Sequence, residues 1–365
     1  MIKRLLLGLL VLLLLLAAVL AANTLRKGSR QIDVAPIAEL PVDKQAAAAH
    51  LSEAVQARTI SSRTDPAQNA DQFARLQAML QERYPKAHAV LKREIISDLS
   101  LLYTWQGSDP KAKPIMLMAH QDVVPVSPGT EDKWVAEPFA GTIRDGFVWG
   151  RGAWDDKGNL IAQMEAVEML AASGYRPERT IYLAFGADEE VAGERGAAKI
   201  AALLKERGVR LDFVIDEGLL ITEGIMPGLD KPTAIIGVAE KGYLSVQVTI
   251  DTVPGHSSMP PPEGTSAIAM MAAALQQIDR NPMPASISGV ADEMFATIAP
   301  EMAGFSRVAL SNLWLFGPIV RKQLEAGAST NAMLRTTTAL TVARAGDADN
   351  VLPGQAQAVI NYRML

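Results

Sequence analysis

The sequence predicts an α/β protein: a mostly parallel sheet with helices on both faces, followed by a smaller inserted α+β domain. Three observations lead to this prediction. The length of 365 residues favours two domains. Strand-like and helix-like segments alternate from about residue 95 to residue 215, which is typical of a parallel sheet covered on both sides. The pattern changes near residues 238–241, where strands and helices become grouped.

The chain begins with a targeting segment. Lys3 and Arg4 precede an unbroken apolar run over residues 5–22, which is long enough to cross a bilayer. The small residues Ala21 and Ala22 also allow cleavage as a signal peptide. We therefore expect a signal anchor or signal peptide over residues 1–22, a tether over 23–42, and a protein that is membrane-anchored or secreted, with its folded part outside the cytoplasm.

The first domain is predicted over residues 43–239 and the second over residues 240–365. In the first domain, helices are predicted at 43–58, 69–83, 158–173 and 193–207, and strands at 95–106, 114–126, 180–186 and 211–215. Around the boundary, residues 233–252 predict one or two strands. The second domain should contain a helix at 265–279, a less regular stretch rich in Met and Pro, and strands at 332–343 and 355–364.

The amino-acid composition limits which metal ligands, nucleophiles and partners the chain can have. The chain has no cysteine, so disulfides, thiolate metal ligands and cysteine nucleophiles are excluded. Any metal must be held by carboxylates and by the four histidines, His50, His88, His120 and His256. The net charge of -5 and the lack of a basic run beyond the N-terminal region give no sign of a nucleic-acid partner.

Acidic or histidine side chains stand at four places, three of them directly after an apolar run and one in the loop that carries Asp155. Ligands bind at the carboxyl ends of strands in open α/β sheets, so these places should converge. Successive members lie 35, 35 and 26 residues apart, about one strand–helix unit each. These positions are His120 with Asp122, Asp155, Glu189 with Glu190, and Asp216.

If these side chains converge, five carboxylates cannot all remain ionised without a cation. One imidazole with several carboxylates suits zinc, and the number of negative charges favours two ions. His120 would bind a metal while Asp122, two residues along an extended segment, accepts from its other ring nitrogen. Of Glu189 and Glu190, one would ligate and the other would act as general base towards a water that the ions acidify.

Taken alone, each of these motifs is also common at solvated loop ends and helix N-termini. Together and in order, they resemble the dinuclear zinc family that includes aminoacylase, carboxypeptidase S, bacterial glutamate carboxypeptidase and succinyl-diaminopimelate desuccinylase. The resemblance covers roughly residues 101–365 and is nearest to carboxypeptidase S and related secreted N-acyl-amino-acid hydrolases. It rests on MLMAHQDVVPV, GRGAWDDKGN, ADEEVAGERGA, VIDEG and PGHSSMPP.

The resemblance implies specific roles. Asp155 would bridge two zinc ions, with His120 and Asp216 completing one site and Glu190 belonging to the other. Glu189 would be the catalytic base and Asp122 the partner of the ligand histidine. His256 lies in a lid domain through which two chains would form a homodimer, and it would reach the active site of the second subunit. Its alternative interpretation is an ordinary turn residue. Asn350 and Arg363 would hold the substrate, and Arg363 also reads as an ordinary strand-surface residue.

The resemblance further implies that the second ion takes a histidine from a returning segment of the catalytic domain beyond Leu365, so two zinc ions are expected in the complete protein. The expected reaction is hydrolysis of an amide next to a free carboxylate, in a small peptide or an N-acyl amino acid. Two alternatives stay open: a membrane-tethered, non-catalytic protein of the same fold, and an enzyme with one ion held by His120, Asp155 and Asp216.

Overall fold

The computed structural model describes residues 1–225 and 228–365, which form two compact units. One unit is Pro36–Gly218, and the other combines Met1–Ala35 with Leu219–Leu365. The division after Gly218 precedes the boundary predicted at 239/240, because a pair of two-residue strands, Ile221–Thr222 and Thr233–Ala234, groups with the second unit.

The unit Pro36–Gly218 begins with three helices and five strands, after which helices and strands alternate as the sequence predicts. Its helices are α2 (Lys44–Gln56), α3 (Ala70–Arg83), α4 (Pro85–Val90), α5 (Lys157–Ala172) and α6 (Ala197–Glu206). Its strands are β1 (Leu91–Ile96), β2 (Ser100–Trp105), β3 (Ile115–His120), β4 (Thr142–Arg144), β5 (Phe147–Trp149), β6 (Ile181–Gly186) and β7 (Val214–Ile215).

The central sheet of this unit has five strands in the order β1-β2-β6-β3-β7. β3 pairs in parallel with both β6 and β7, whereas β2 is antiparallel to β1 and β6. Four strands therefore point the same way and β2 runs against them. The predicted mostly parallel sheet is confirmed, with one reversed strand.

Helices cover both faces of this sheet, as predicted. Alternate residues of β2 and β6 point to opposite faces, as the period of two requires. Tyr103 and Phe185 belong to the core shared with α2–α5, while Leu102 and Ala184 pack with α6 on the other side. The carboxyl ends of β3, β6 and β7 consequently lie along one edge.

The region predicted as a single strand at 95–106 is a hairpin. Ser97 and Asp98 both have positive φ, of 48° and 72°, and they reverse the chain between β1 and β2. Two left-handed residues in succession suit the twist of a tight hairpin, but neither is the glycine that usually marks such a turn in a sequence.

The second unit is α+β. Its strands are β8 (Ile221–Thr222), β9 (Thr233–Ala234), β10 (Gly242–Asp251), β11 (Gly255–His256), β12 (Thr337–Ala345), β13 (Val351–Leu352) and β14 (Gln355–Met364). Its helices are α1 (Ile2–Arg26), α7 (Ala267–Arg280), α8 (Val290–Ile298), α9 (Gly304–Ser311), α10 (Leu313–Glu325) and α11 (Ala328–Ala332).

The core of the second unit has two parts. β10, β14 and β12 form an antiparallel sheet, and α7 packs Ala267 and Met271 onto Ala356 and Ala358 of β14. The stretch predicted to be less regular is instead helical, and α8, α9 and α10 pack apolar residues around Phe295. Pro and Gly interrupt this segment often enough to hide its helical period.

Candidate metal centre

His120 is the last residue of β3, and it lies at the centre of the candidate site. Its side chain is buried, and its Nδ1 lies 2.9 Å from the main-chain oxygen of Asp122. Its Nε2 lies 2.8 Å from Oδ1 of Asp155. A proton on Nδ1 leaves the Nε2 lone pair directed at the acidic groups, which is the orientation that a metal ligand needs.

Asp122 connects this histidine to the turn that follows β6. Its buried carboxylate lies 3.4 Å from Nδ1 of His120 and accepts from Ser61 Oγ at 2.7 Å. It also accepts from the backbone N–H groups of Glu189 and Glu190, both at 3.1 Å. Asp122 therefore fixes both the imidazole and the acidic turn. The imidazole is nearer to the main-chain oxygen of Asp122 than to the predicted partner, its carboxylate.

The loop before α5 supplies two adjacent aspartates joined by a cis peptide bond, Asp155 and Asp156. The side chain of Asp155 is exposed and faces His120, whereas Asp156 is buried and accepts from the His120 backbone N–H at 3.1 Å. Lys157, the first residue of α5, is buried and donates to the carbonyl oxygens of Ala54 and Ala57. These bonds fasten the loop to the end of α2.

Glu189 and Glu190 begin a single 3-10 turn directly after β6. Glu189 Oε2 lies 3.8 Å from Nε2 of His120. Glu190 offers an oxygen that lies within 4.8 Å of ligand atoms of His120 and Asp155. Within the described residues, Glu190 belongs to a group of possible ligands and Glu189 to neither.

The strand-end acidic pair after β7 differs in detail from the prediction. Glu217 Oε1 lies 3.5 Å from Nε2 of His120 and joins His120 and Asp156 in a second group of possible ligands. The Asp216 carboxylate accepts from the Glu217 backbone N–H, and within the described residues Asp216 belongs to neither group. Glu217 and Asp156 are each adjacent in sequence to a predicted ligand, Asp216 and Asp155. That adjacency is the sequence feature that could have identified them as candidate ligands.

The pKa values of this cluster show its strain when no cation is present. Burial raises the pKa of Glu190 to about 7, with help from the charge of Asp155. Burial also raises the pKa of Asp156 to about 7, and the charge of Glu217 adds to it. Burial acts to lower the pKa of His120, but the hydrogen bond and charge of Asp122 outweigh it and raise that pKa to about 10.

These side chains fit a divalent cation by their chemistry. Imidazole nitrogen and carboxylate oxygens are the donors that zinc accepts in the absence of thiolates. The described residues form two such groups around the shared His120, and all ligand atoms within a group lie within 4.8 Å of one another. Nε2 of His120 and Oδ1 of Asp155 lie 2.8 Å apart, so a cation bound there would take the place of the proton between them and be held by both atoms.

The predicted substrate residues lie in the other unit. His256 ends β11 and is exposed, and its Nδ1 is 2.8 Å from Ser258 Oγ. The carbonyl of Asn350 accepts from the Ser257 N–H at 3.0 Å, so Asn350 lies beside the His256 segment. Arg363 is on β14, where its guanidinium stacks over the Tyr243 ring at 4.6 Å. The structure thus brings His256 and Asn350 segments together and places Arg363 on a different sheet.

Comparison with known sequences identifies the family. The profile of Peptidase family M20/M25/M40 matches residues 116–314, just over half of the chain, including every acidic strand end described above. The chain belongs to peptidase family M20.

Individual proteins with related sequences support this family assignment. The mouse protein named N-fatty-acyl-amino acid synthase/hydrolase PM20D1 is 42% identical over 317 residues, covering 86% of this chain and 62% of its own length. Probable carboxypeptidase S-like 2 of Dictyostelium discoideum is 38% identical over 374 residues, covering 100% of this chain and 70% of its own length. The chain therefore spans about three fifths of the length of its PM20D1 relatives.

Solved structures share the fold. Human carnosine dipeptidase 1 superposes with a TM-score of 0.56 at 16% identity, covering 88% of this chain and 70% of that one. The M20 family metallo-carboxypeptidase Sso-CP2 from Sulfolobus solfataricus gives a TM-score of 0.56 at 19% identity, covering 87% and 71%. At these identities the likeness concerns the fold.

The acidic pair after β7 allows a direct test of which residue binds metal. Because Glu217 faces His120 whereas Asp216 bonds to its own backbone neighbour, Glu217→Gln should lower zinc affinity by about 10-fold or more, and Asp216→Asn should change it little. Competition with a chromogenic chelator measures both affinities. The reverse order would restore Asp216 to the role that the resemblance implies.

Proposed function

We propose that this chain belongs to a zinc-dependent hydrolase that cleaves an amide bond next to a free carboxylate. The observation that carries the proposal is the set of carboxylates around one buried imidazole: Asp155, Glu217 and Glu189 lie 2.8, 3.5 and 3.8 Å from Nε2 of His120. Substrates of the proposed enzyme are small peptides cleaved at their C-terminal residue, or N-acyl amino acids.

In this proposal His120, Asp155, Glu190 and an acidic residue of the β7 end, Asp216 or Glu217, hold the metal. Zinc bound there would polarise the scissile carbonyl and acidify the attacking water. Two ions per subunit are part of the proposal, because the cluster offers more carboxylates than one ion needs.

Glu189 is the proposed general base. Burial raises its pKa, so its carboxylate is a better proton acceptor than an ordinary glutamate, and it lies at the edge of the cluster rather than within either ligand group. After accepting the proton from water, it can return it to the leaving amine. Asp122 acts as a positioning residue, because its carboxylate holds the backbone of the Glu189–Glu190 turn.

The names of the relatives support this class of reaction. They describe a carboxypeptidase S-like protein and an N-fatty-acyl-amino acid synthase/hydrolase. Both Glu189 and Asp122 are present, and Asp122 accepts from the backbone of the Glu189–Glu190 turn, which supports an enzyme over a non-catalytic protein of the same fold.

We also propose that α1 anchors the protein in a membrane, with the remainder outside the cytoplasm. The helix spans Ile2–Arg26, and an 18-residue window of it has a mean hydropathy of 3.2 with none of its residues buried. A cleaved signal peptide would place the same remainder outside the cell.

A further part of the proposal is a homodimer formed through the second unit, in which His256 polarises the scissile carbonyl in the partner's active site. The exposure of His256, and a neighbouring Ser258 hydroxyl that fixes its ring, suit a residue that acts across an interface. Asn350, beside it, and Arg363 would bind the substrate, with the guanidinium pairing with the free carboxylate.

The reaction class is tested with the full-length protein and a substrate panel. We expect zinc-dependent release of amino acid from N-fatty-acyl amino acids, N-acetyl amino acids or dipeptides, abolished by a chelator and restored by added zinc. Matched substrates with an amidated carboxyl group should react about tenfold more slowly or worse, since they lack the charge that Arg363 would bind. Equal rates on free and amidated substrates would contradict the proposed recognition.

Single substitutions of Glu189 and of Glu190 should have different effects on kcat and on zinc content. Glu189→Gln should retain zinc and lower kcat by about 10²-fold or more, because the base is removed and the ligands are kept. Glu190→Gln should lower the zinc content itself. Metal analysis alongside initial rates distinguishes the two, and loss of zinc in the Glu189 variant would show that the roles are exchanged.

The role of His256 across subunits can be tested by mixing inactive chains. His256→Ala chains mixed with Glu189→Gln chains should recover partial activity, because one site of each mixed dimer receives both functional residues. Ser257→Ala mixed with Glu189→Gln provides the control for subunit exchange. If mixed dimers form and show no recovery, His256 does not act in the partner's site.

A further inference from the structure

The C-terminal end of α1 is fastened to the corner between α9 and α10. Asn312, at that corner, is fully buried and accepts a hydrogen bond from Asn23 Nδ2 at 2.9 Å. Its own amide lies 3.2 Å from Thr24 Oγ1 and 3.3 Å from the Leu20 carbonyl. A buried amide with this many partners fixes the corner to the last turns of α1.

This attachment sets the depth of the corner if α1 crosses a bilayer. The apolar run over residues 5–22 is about 27 Å long at 1.5 Å per residue, close to the hydrocarbon thickness of a bilayer. Asn23 and Thr24 are the first polar residues after that run, so they lie at the membrane–water boundary. Asn312 contacts both, which places the α9–α10 corner at the same level.

α10 has two different faces. Leu313, Val320 and Leu324 face inwards and pack against the helical cluster. Trp314 and Ile319 face outwards with 61% and 64% of their surface exposed. At 100° per residue, Trp314, Leu315, Pro318 and Ile319 form one stripe of about 140°.

The outer stripe continues onto α9 and is bordered by basic residues. Phe305 of α9 is 67% exposed and stacks edge-on with Phe316 of α10 at 5.3 Å. Arg321 and Lys322 follow the stripe along α10, and both are exposed. An apolar face with a tryptophan and adjoining cations is the composition of helices that lie in the membrane interface.

We propose that the α9–α10 corner is a second membrane contact, in which Phe305, Trp314, Leu315 and Ile319 enter the lipid interface beside α1. This inference rests on the membrane anchor proposed above. The bilayer is favoured over a protein partner because the stripe is held at the exit point of an apolar helix of bilayer length. The contact would hold the second unit against the membrane surface instead of leaving it free on a tether.

The absence of cysteine permits a site-specific test. Ile319→Cys carries a polarity-sensitive fluorophore in the full-length protein, reconstituted into vesicles of phosphatidylcholine and phosphatidylglycerol at a ratio of four to one. We expect a blue-shifted emission, quenching by spin-labelled lipids, and a several-fold lower sensitivity to aqueous iodide than for the same label at Val253→Cys. Val253 is 89% exposed on the loop after β10, outside the helical cluster, and serves as the control.

Other outcomes overturn the proposal. Iodide sensitivity at position 319 equal to that at 253 would show a water-exposed corner. Protection from iodide that persists in detergent without lipid quenching would show a protein partner, including a second copy of this chain. N-terminal sequencing that shows cleavage after the apolar run would contradict the proposal, because the mature protein would then lack the α1 anchor. Hydrolysis by the labelled variants, measured in detergent, reports separately on the proposed enzymatic function.

Discussion

Carboxylates from four segments of the chain face one buried imidazole at the carboxyl edge of the five-stranded sheet, and their mutual repulsion is the constraint on which this unit depends. His120 cannot relieve it alone, because one imidazolium offsets one negative charge. Burial raises the pKa values of Asp156, Glu190 and Glu217 together. The ends of β3, β6 and β7 and the loop before α5 hold these groups together against that repulsion.

Asp122 shows how such a site is kept in shape. Its carboxylate is fully buried and accepts hydrogen bonds from Ser61 and from two consecutive backbone amides. These contacts, with its proximity to Nδ1 of His120, orient both the imidazole and the Glu189–Glu190 turn. One side chain thus places the proposed base and the proposed ligands relative to each other.

The parallel part of the sheet and the position of the acidic cluster at its edge could be predicted from the sequence. β3 and β6 are short apolar runs that end in acidic motifs, and the carboxyl ends of parallel strands must meet at one edge. The choice between Asp216 and Glu217 could not be made in this way, because adjacent residues at a strand end point in different directions that depend on the local backbone. The hairpin at Ser97–Asp98 was missed because its turn lacks glycine. Of the helices α8–α11, three were missed because they are only 9, 8 and 5 residues long, and α10 was missed because Gly317 and Pro318 lie inside it.

Lys157 has a consequence for the order in which the protein folds. Its Nζ donates to two carbonyls at the end of α2, and the partners Ala54 and Lys157 are 103 residues apart in the chain. At synthesis rates of about 5–20 residues per second, α2 waits on the order of 5–20 seconds after its own synthesis before this partner emerges. During that interval these carbonyls have only backbone donors, the N–H groups of Ala57 and Thr59. The same short segment therefore completes the end of the first helix and brings Asp155 and Asp156 to the site, before the later acidic residues are made.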